Sequence, residues 1–135
     1  MAIICGIDFS TWSSSASVVA ATLAGRLDDE LFLVHVLEPQ VEQMDASAFE
    51  RVQTLIHERL TAEVGRLREH TKGRIETVVL PGEVADSMRD FATKRKAKLI
   101  VVGSAGHGAG ALVKLGGTSE RLASGSDIPV LVVRE

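Results

Sequence analysis

Five short segments with the pattern of β-strands alternate with helical segments along this chain, and this alternation constrains the fold more than any other feature. Most of the five are continuous apolar runs, which are typical of strands covered on both faces. The strands are predicted at Ala2–Ile7, Glu30–Leu37, Ile75–Leu80, Leu99–Val102 and Pro129–Val133. Such alternation predicts right-handed βαβ crossovers and a parallel sheet with helices on both faces.

The segments between the strands carry helix signals. Ser10 or Thr11 is expected to cap a first helix that ends at Gly25. The stretch Glu38–Asp45 is predicted as a polar loop, and Ser47–Glu50 has the spacing of a capping box that opens a long amphipathic helix. Two further helices are predicted, one with apolar positions from Val84 to Ala92 and one from Thr118 to Ser124.

The strands are expected to form one doubly wound, Rossmann-like α/β domain over residues 1–135, with a five-stranded parallel sheet in the order 3-2-1-4-5. A chain of this length has enough residues for one core and too few for two. Ligands of doubly wound sheets bind beyond the carboxyl ends of the strands, where the strand order reverses. Asp8 and Gly103 follow the two strands that meet at this point, so both are expected at a ligand crevice.

A glycine-rich segment follows the fourth strand. Six glycines lie between Gly103 and Gly117 inclusive, and no acidic residue occurs before Glu120. Backbone N–H groups without a neighbouring Cβ approach an anion closely, and the start of the next helix adds a favourable partial positive charge. The segment therefore predicts a phosphorylated ligand, and a nucleotide is the best candidate.

Composition excludes several other classes of function. The net charge of −3 argues against general binding to nucleic acid or to a membrane surface, because either partner favours a basic stripe. No apolar run approaches the ~20 residues that a membrane span needs. The single cysteine, Cys5, lies in the first strand, and the N-terminus has no basic region typical of a signal peptide. A cytoplasmic location is expected.

Four motifs resemble the universal stress protein family, and the resemblance covers nearly the whole chain. They are GIDFS at 6–10, LVHVLEP at 33–39, PGEVAD at 81–86 and LIVVGS at 99–104. The most specific feature is the family's ATP-binding signature, in which glycines are separated by two and then nine residues and are followed by Ser or Thr. Gly103, Gly106 and Gly116 fit this spacing, whereas Gly117 occupies the Ser or Thr position.

The resemblance implies roles for individual residues around the nucleoside. Asp8 would contact the ribose or the adenine, and the backbone near Val36 and Val102 would hold the base. The alternative for Asp8 is a structural one, as the N-terminal cap of the first helix. The implied ligand is ATP, or ADP or AMP, with any Mg²⁺ carried on the phosphates.

The resemblance also implies a phosphate site built from main-chain amides. Gly103, Gly106 and Gly116 would surround the phosphates, and Gly117 would contribute only its N–H group. The missing hydroxyl removes a hydrogen bond to a charged group, which contributes about 1.5–3 kcal/mol. Three outcomes stay open: Thr118, directly after Gly117, compensates for the missing hydroxyl, or the affinity falls, or a ligand with fewer phosphates is preferred.

The apolar segment Val130–Val133 is expected at one edge of the sheet, where uncovered strands invite pairing with a second chain. Members of the family commonly dimerise through this strand, so the resemblance implies a homodimer; the alternative is an edge protected by Arg134 and Glu135. The expected function is that of a dimeric, nucleotide-binding stress sensor or regulator with slow or no turnover. Two alternatives remain: an interaction module that binds no nucleotide, and a slow ATPase or phosphotransferase.

Overall fold

The computed structural model describes residues 1–104 and 117–134, and it contains a five-stranded, all-parallel sheet. The strand order is 3-2-1-4-5, which confirms the predicted topology. The strands are β1 (Ala2–Gly6), β2 (Glu30–Leu37), β3 (Ile75–Pro81), β4 (Leu99–Gly103) and β5 (Val130–Val133). The order reverses between β1 and β4, so a crevice is expected where their carboxyl ends diverge.

Helices cover both faces of the sheet, and each face buries its own apolar cluster. The helices are α1 (Thr11–Leu27), α2 (Pro39–Glu42), α3 (Ala46–Leu67), α4 (Val84–Lys94) and α5 (Gly117–Gly125). Alternate side chains of β1 enter opposite clusters: Ile3 and Cys5 pack with α1 and α3, and Ile4 packs with α4 and α5. Because the central strands are apolar on both faces, they form the continuous runs seen in the sequence.

The start of α1 agrees with the prediction, but its end does not. Ser10 caps the helix by accepting a hydrogen bond from the Ser13 N–H group. The helix continues past Gly25 to Leu27 and is closed by Asp28, which has a left-handed φ of 56°. Gly25 is instead a point of close approach, because a Cβ there would lie 2.7 Å from the His70 carbonyl oxygen.

The connection between β2 and α3 also differs from the prediction. The expected polar loop contains the short helix α2, which starts at Pro39, a residue suited to the first turn of a helix. The cap of α3 is Asp45, whose Oδ1 atom accepts from the Ala48 N–H group at 2.9 Å. The predicted capping box was therefore wrong in register, since Ser47 already lies inside the helix.

A buried carboxylate lies at the amino ends of the strands. Asp29 precedes β2 and is 7% exposed, and its Oδ2 atom lies 2.7 Å from Nζ of Lys98, which precedes β4. The Met1 amino group lies 3.3 Å from the other carboxylate oxygen. The hydrogen bond from Lys98 lowers the pKa of Asp29 below its ordinary value of 3.8, although burial opposes this shift. Asp29 is therefore charged and paired at neutral pH.

Candidate functional site

A cleft of about 800 Å³ lies over the carboxyl ends of the strands. This volume is within the range of small-molecule binding sites. β1 and the residues after it contribute the floor, the end of β2 and the helices α2 and α3 form one side, and the end of β4 with the start of α5 forms the other. The cleft is at the reversal of strand order, the position that doubly wound sheets use for ligands.

Six of the residues predicted for the site line this one cleft. They come from four separate parts of the chain and are Asp8, Val36, Val102, Gly103, Gly117 and Thr118. The other two predicted residues, Gly106 and Gly116, lie outside the described residues. The fold thus brings together, on one surface, every described residue that was assigned to a ligand.

Asp8 is held in a fixed position at the start of the β1–α1 connection. Its Oδ1 atom accepts hydrogen bonds from the Ser10 N–H group at 2.9 Å and from the Ser10 hydroxyl. Its own N–H group donates to the Ser13 hydroxyl at 3.3 Å. Ser10 is the cap of α1, so Asp8 is not the helix cap. Asp8 instead accepts hydrogen bonds from Ser10 and thereby orients the cap residue. The carboxylate therefore lies at the cleft in an orientation set by Ser10.

Gly103 ends β4 at a point of close packing with α1. A Cβ at this position would lie 2.8 Å from backbone atoms of Trp12, so only glycine fits without a shift of the main chain. The Ser119 hydroxyl donates to the Gly103 carbonyl oxygen, which joins the start of α5 to the end of β4. One wall of the cleft is thereby fixed by contacts within the protein.

Thr118 and Gly117 differ from Ser119 in what surrounds them. Ser119 is buried and its hydroxyl is used on Gly103, whereas Thr118 is half-buried and lines the cleft. A Cβ added at Gly117 would have no atom within 4 Å, so the position has room for a side chain. Both residues lie in the first turn of α5, where main-chain N–H groups and the helix dipole favour an anion.

The sequence matches the universal stress protein family over residues 1–134. The chain belongs to this family. A universal stress protein of Methanocaldococcus jannaschii is 30% identical over 133 residues, covering 95% of this chain and 78% of the relative.

Solved universal stress protein structures share the fold. The UspA protein of Lactobacillus plantarum superposes with a TM-score of 0.87 at 18% identity, covering 99% of this chain and 97% of the other. A universal stress protein crystallised in complex with cAMP superposes with a TM-score of 0.78 at 25% identity, covering 99% and 96%.

Sequence reasoning missed the α3 side of the cleft in this universal stress protein. Phe9 follows Asp8. Its ring centroid lies 4.9 Å from that of His35 and 5.4 Å from the Arg59 guanidinium carbon. The His35 Nδ1 atom lies 2.7 Å from the Ile7 carbonyl oxygen, so this ring nitrogen is engaged by the backbone. The signal for Arg59 was its helical spacing, three residues after Ile56 in the apolar stripe of α3.

The part of the chain that the structure describes contains neither a metal-binding cluster nor a membrane-spanning helix. Among residues 1–104 and 117–134, no cluster of three or more His, Cys, Asp or Glu side chains has the geometry to hold a metal ion. Within the same ranges, no helix is both long enough and apolar enough to cross a bilayer.

Cys5 is fully buried, and burial raises the pKa of its thiol well above the ordinary value. This thiol is protonated and shielded at neutral pH.

Proposed function

We propose that this universal stress protein binds an adenine nucleotide, ATP or a related mono- or diphosphate, in the cleft between β1 and β4. The observation that carries the proposal is the convergence of Asp8, Val36, Val102, Gly103 and the start of α5 on one cavity. A family relative with the same fold is a complex with cAMP, an adenine nucleotide, which supports this ligand class.

Each part of the proposed ligand has a counterpart in the cleft. The phosphates lie at the first turn of α5, where Gly117 and Thr118 offer main-chain N–H groups and Thr118 a hydroxyl. The ribose or the base faces Asp8, an anion already oriented by Ser10. The base packs beside the backbone of Val36 and Val102. Gly106 and Gly116, outside the described residues, complete the phosphate site by their signature spacing.

The protein acts as a regulator rather than as a fast enzyme in this proposal. Any Mg²⁺ is carried in on the phosphates, because oxygen atoms of the nucleotide supply the ligands that this ion prefers. The cleft contributes binding and orientation, and the occupied state is the signal. A cytoplasmic location, where nucleotides are abundant, is consistent with this role.

The binding proposal is tested by thermal melts of the purified protein with AMP, ADP, ATP and cAMP, with and without Mg²⁺. A ligand present at 100 times its Kd raises the free energy of unfolding by about 2.7 kcal/mol. Stabilisation without release of phosphate supports a nucleotide-binding regulator. No stabilisation by any of the four supports an interaction module that binds no nucleotide, and steady phosphate release supports a slow ATPase.

The proposal includes a homodimer formed through β5. This strand is at the edge of the sheet, with β4 on one side only. The carbonyl groups of Pro129 and Val133 accept from the β4 side, so the backbone groups of Val130 and Val132 point to the free side. Their N–H and C=O groups are the ones available to pair with a second copy of β5.

Sedimentation equilibrium tests the dimer with two variants of one residue. Val132→Pro removes an outward N–H group at a sheet edge, where proline is tolerated, and is expected to give monomers. Val132→Ala keeps the N–H group and is expected to remain dimeric. A wild-type chain that sediments as a monomer would exclude the dimer while leaving the nucleotide proposal intact.

A further inference from the structure

Phe9 is held in an uncommon position at the wall of the cleft. Its φ of 65° lies in the left-handed region, which bulky residues rarely adopt. His35 and Arg59 both contact its ring, and all three residues line the cleft. The Phe9 ring thus provides a surface on which the Arg59 guanidinium is positioned.

Arg59 is an arginine without an acidic partner among the described residues. The carboxylate one turn further along α3, Glu63, is paired with Arg66 instead. Within residues 1–104 and 117–134, four other arginines form ion pairs, among them Arg89 with Asp86 at 3.0 Å and Arg121 with Glu83 at 2.9 Å. Arg59 is exposed and lines the cleft together with Asp8 and Glu38, and no described carboxylate lies within ion-pair distance of it.

Arg59 lies at the end of the cleft that is proposed to hold the ribose. This step depends on the proposed function and takes its first alternative, in which Asp8 faces the ribose rather than the base. Phe9 is the next residue, and the Arg59 guanidinium lies 5.4 Å from its ring centroid, so it is near the same end of the cleft. The phosphates attached to the ribose 5′ oxygen lie elsewhere, at the first turn of α5. In doubly wound folds that bind dinucleotides, an arginine near the ribose accommodates a phosphate on its 2′ oxygen.

We infer that Arg59 selects nucleotides that carry a second phosphate on the 2′ or 3′ oxygen of the ribose. The planar guanidinium donates two parallel hydrogen bonds to phosphate oxygens, and its stacking on Phe9 holds it ready for this contact. The Asp8 carboxylate disfavours a nearby phosphate, and Arg59 offsets this repulsion. The cleft thus has two anion subsites, one at α5 for the 5′ phosphates and one at Arg59.

Calorimetric titration with four small probes tests the second subsite. AMP is the reference, and adenosine 3′,5′-bisphosphate and adenosine 2′,5′-bisphosphate each add a phosphate on the ribose. ADP adds its second phosphate at the 5′ end and controls for the number of phosphates. At least one bisphosphate is expected to bind roughly tenfold more tightly than AMP. The two isomers distinguish the 2′ from the 3′ position.

Variants of α3 show whether Arg59 causes the preference for a bisphosphate over AMP. Arg59→Gln is expected to remove the advantage of the bisphosphate over AMP, whereas AMP and ADP, which carry no phosphate on the 2′ or 3′ oxygen, are expected to lose much less affinity. Arg59→Lys keeps a point charge without the planar fork and is expected to retain part of the advantage. Arg51→Gln removes an exposed arginine of the same helix that does not line the cleft, and it serves as the matched control.

The outcomes separate this inference from the proposed function. If AMP and ADP bind but neither bisphosphate is favoured, or if Arg59→Gln keeps the preference, the second subsite is excluded and the nucleotide proposal stands. If no nucleotide binds, the proposed function fails and the inference falls with it. Melting curves of the variants without ligand show whether each one folds.

Discussion

The two ends of the same parallel strands differ in where their charged groups find partners. At the amino ends, Asp29 is paired with Lys98, and Arg74 contacts Glu76 at 2.6 Å beside β2 and β3. At the carboxyl ends, Arg59 and Thr118 face a cavity, although Asp8 is oriented by Ser10. The charged groups named at the amino ends have partners within the protein, whereas Arg59 at the carboxyl ends lines a space large enough for a ligand.

This contrast separates stability from binding within one sheet. The buried pair of Asp29 and Lys98 at the amino ends stabilises the folded chain, so a substitution there is expected to change the free energy of unfolding. At the carboxyl ends, Asp8 is oriented by Ser10 and Arg59 contacts the Phe9 ring, so neither position depends on a ligand in the cleft. Substitutions at the two ends are therefore expected to affect different measurements, and the predictions below test this separation.

The largest effect is expected from Asp29→Ala at the amino ends. The substitution leaves Lys98 without its partner and is expected to lower the free energy of unfolding by about 2 kcal/mol. Urea denaturation measures this loss. Asp90→Ala is the control, because Asp90 forms only an exposed pair with Lys94 and is expected to change stability by less than about 0.5 kcal/mol. Altered nucleotide affinity in a folded Asp29→Ala protein would contradict the separation.

The next effect is expected from Gly117→Glu at the carboxyl ends. A side chain fits at this position, and a carboxylate in the first turn of α5 favours the helix, so stability is not expected to fall. The same carboxylate repels phosphate, and the affinity for ATP is expected to drop by about 1.5 kcal/mol, or roughly tenfold.

Gly117→Gln has nearly the same shape without the charge and provides the control for Gly117→Glu. It is expected to weaken ATP binding much less. Equal losses in the two variants would point to blockage of the cleft by the side chain, and unchanged affinity in both would remove the phosphate site from the start of α5.

A smaller gain is expected from Gly117→Ser, which restores the hydroxyl of the family signature. The open space around this position allows the hydroxyl to reach a phosphate, and the affinity for ATP is expected to rise by about 1 kcal/mol. Thr118→Val removes the neighbouring hydroxyl and is expected to weaken binding by a similar amount. If Gly117→Ser binds no better while Thr118→Val still weakens binding, Thr118 already fills the role of the missing hydroxyl.

The smallest effect is a dependence of stability on pH at the amino ends. The pKa of Asp29 is lower in the folded protein than its ordinary value of 3.8, so its charge favours folding above that pH. This contribution is lost as the pH falls through the folded pKa. The stability difference between the wild type and Asp29→Asn is therefore expected to be constant from pH 5 to 7 and to narrow below about pH 4. A difference that widens on acidification would contradict the pairing.

Local signals in the sequence were enough to predict the fold and one half of the cleft. The apolar runs and helix signals determined the strands and their order, and the switch point placed Asp8 and Gly103 at the crevice. The family signature added Gly117 to the predicted site, and Thr118 was named as the residue that follows it. These residues are predictable because each follows a strand or begins a helix, and parallel strands bring their carboxyl ends to one edge.

The α3 side of the cleft was not predictable in the same way. Arg59 reaches the cleft because α2 and α3 pack beside the end of β2, and its contact with Phe9 joins residues 50 positions apart. The cap of α3 was misplaced because Asp45 and Ser47 are both good caps, and only the geometry of the turn after α2 selects Asp45. Tertiary packing decides such positions.

The most direct test of the central claim is the change in backbone amide NMR signals on addition of ATP. The amides of Asp8, Val36, Gly103 and Thr118 at the carboxyl ends are expected to shift, while those of Asp29 and Lys98 at the amino ends stay in place. Saturating ATP that shifts only residues outside the cleft, or none, would contradict a nucleotide site between β1 and β4.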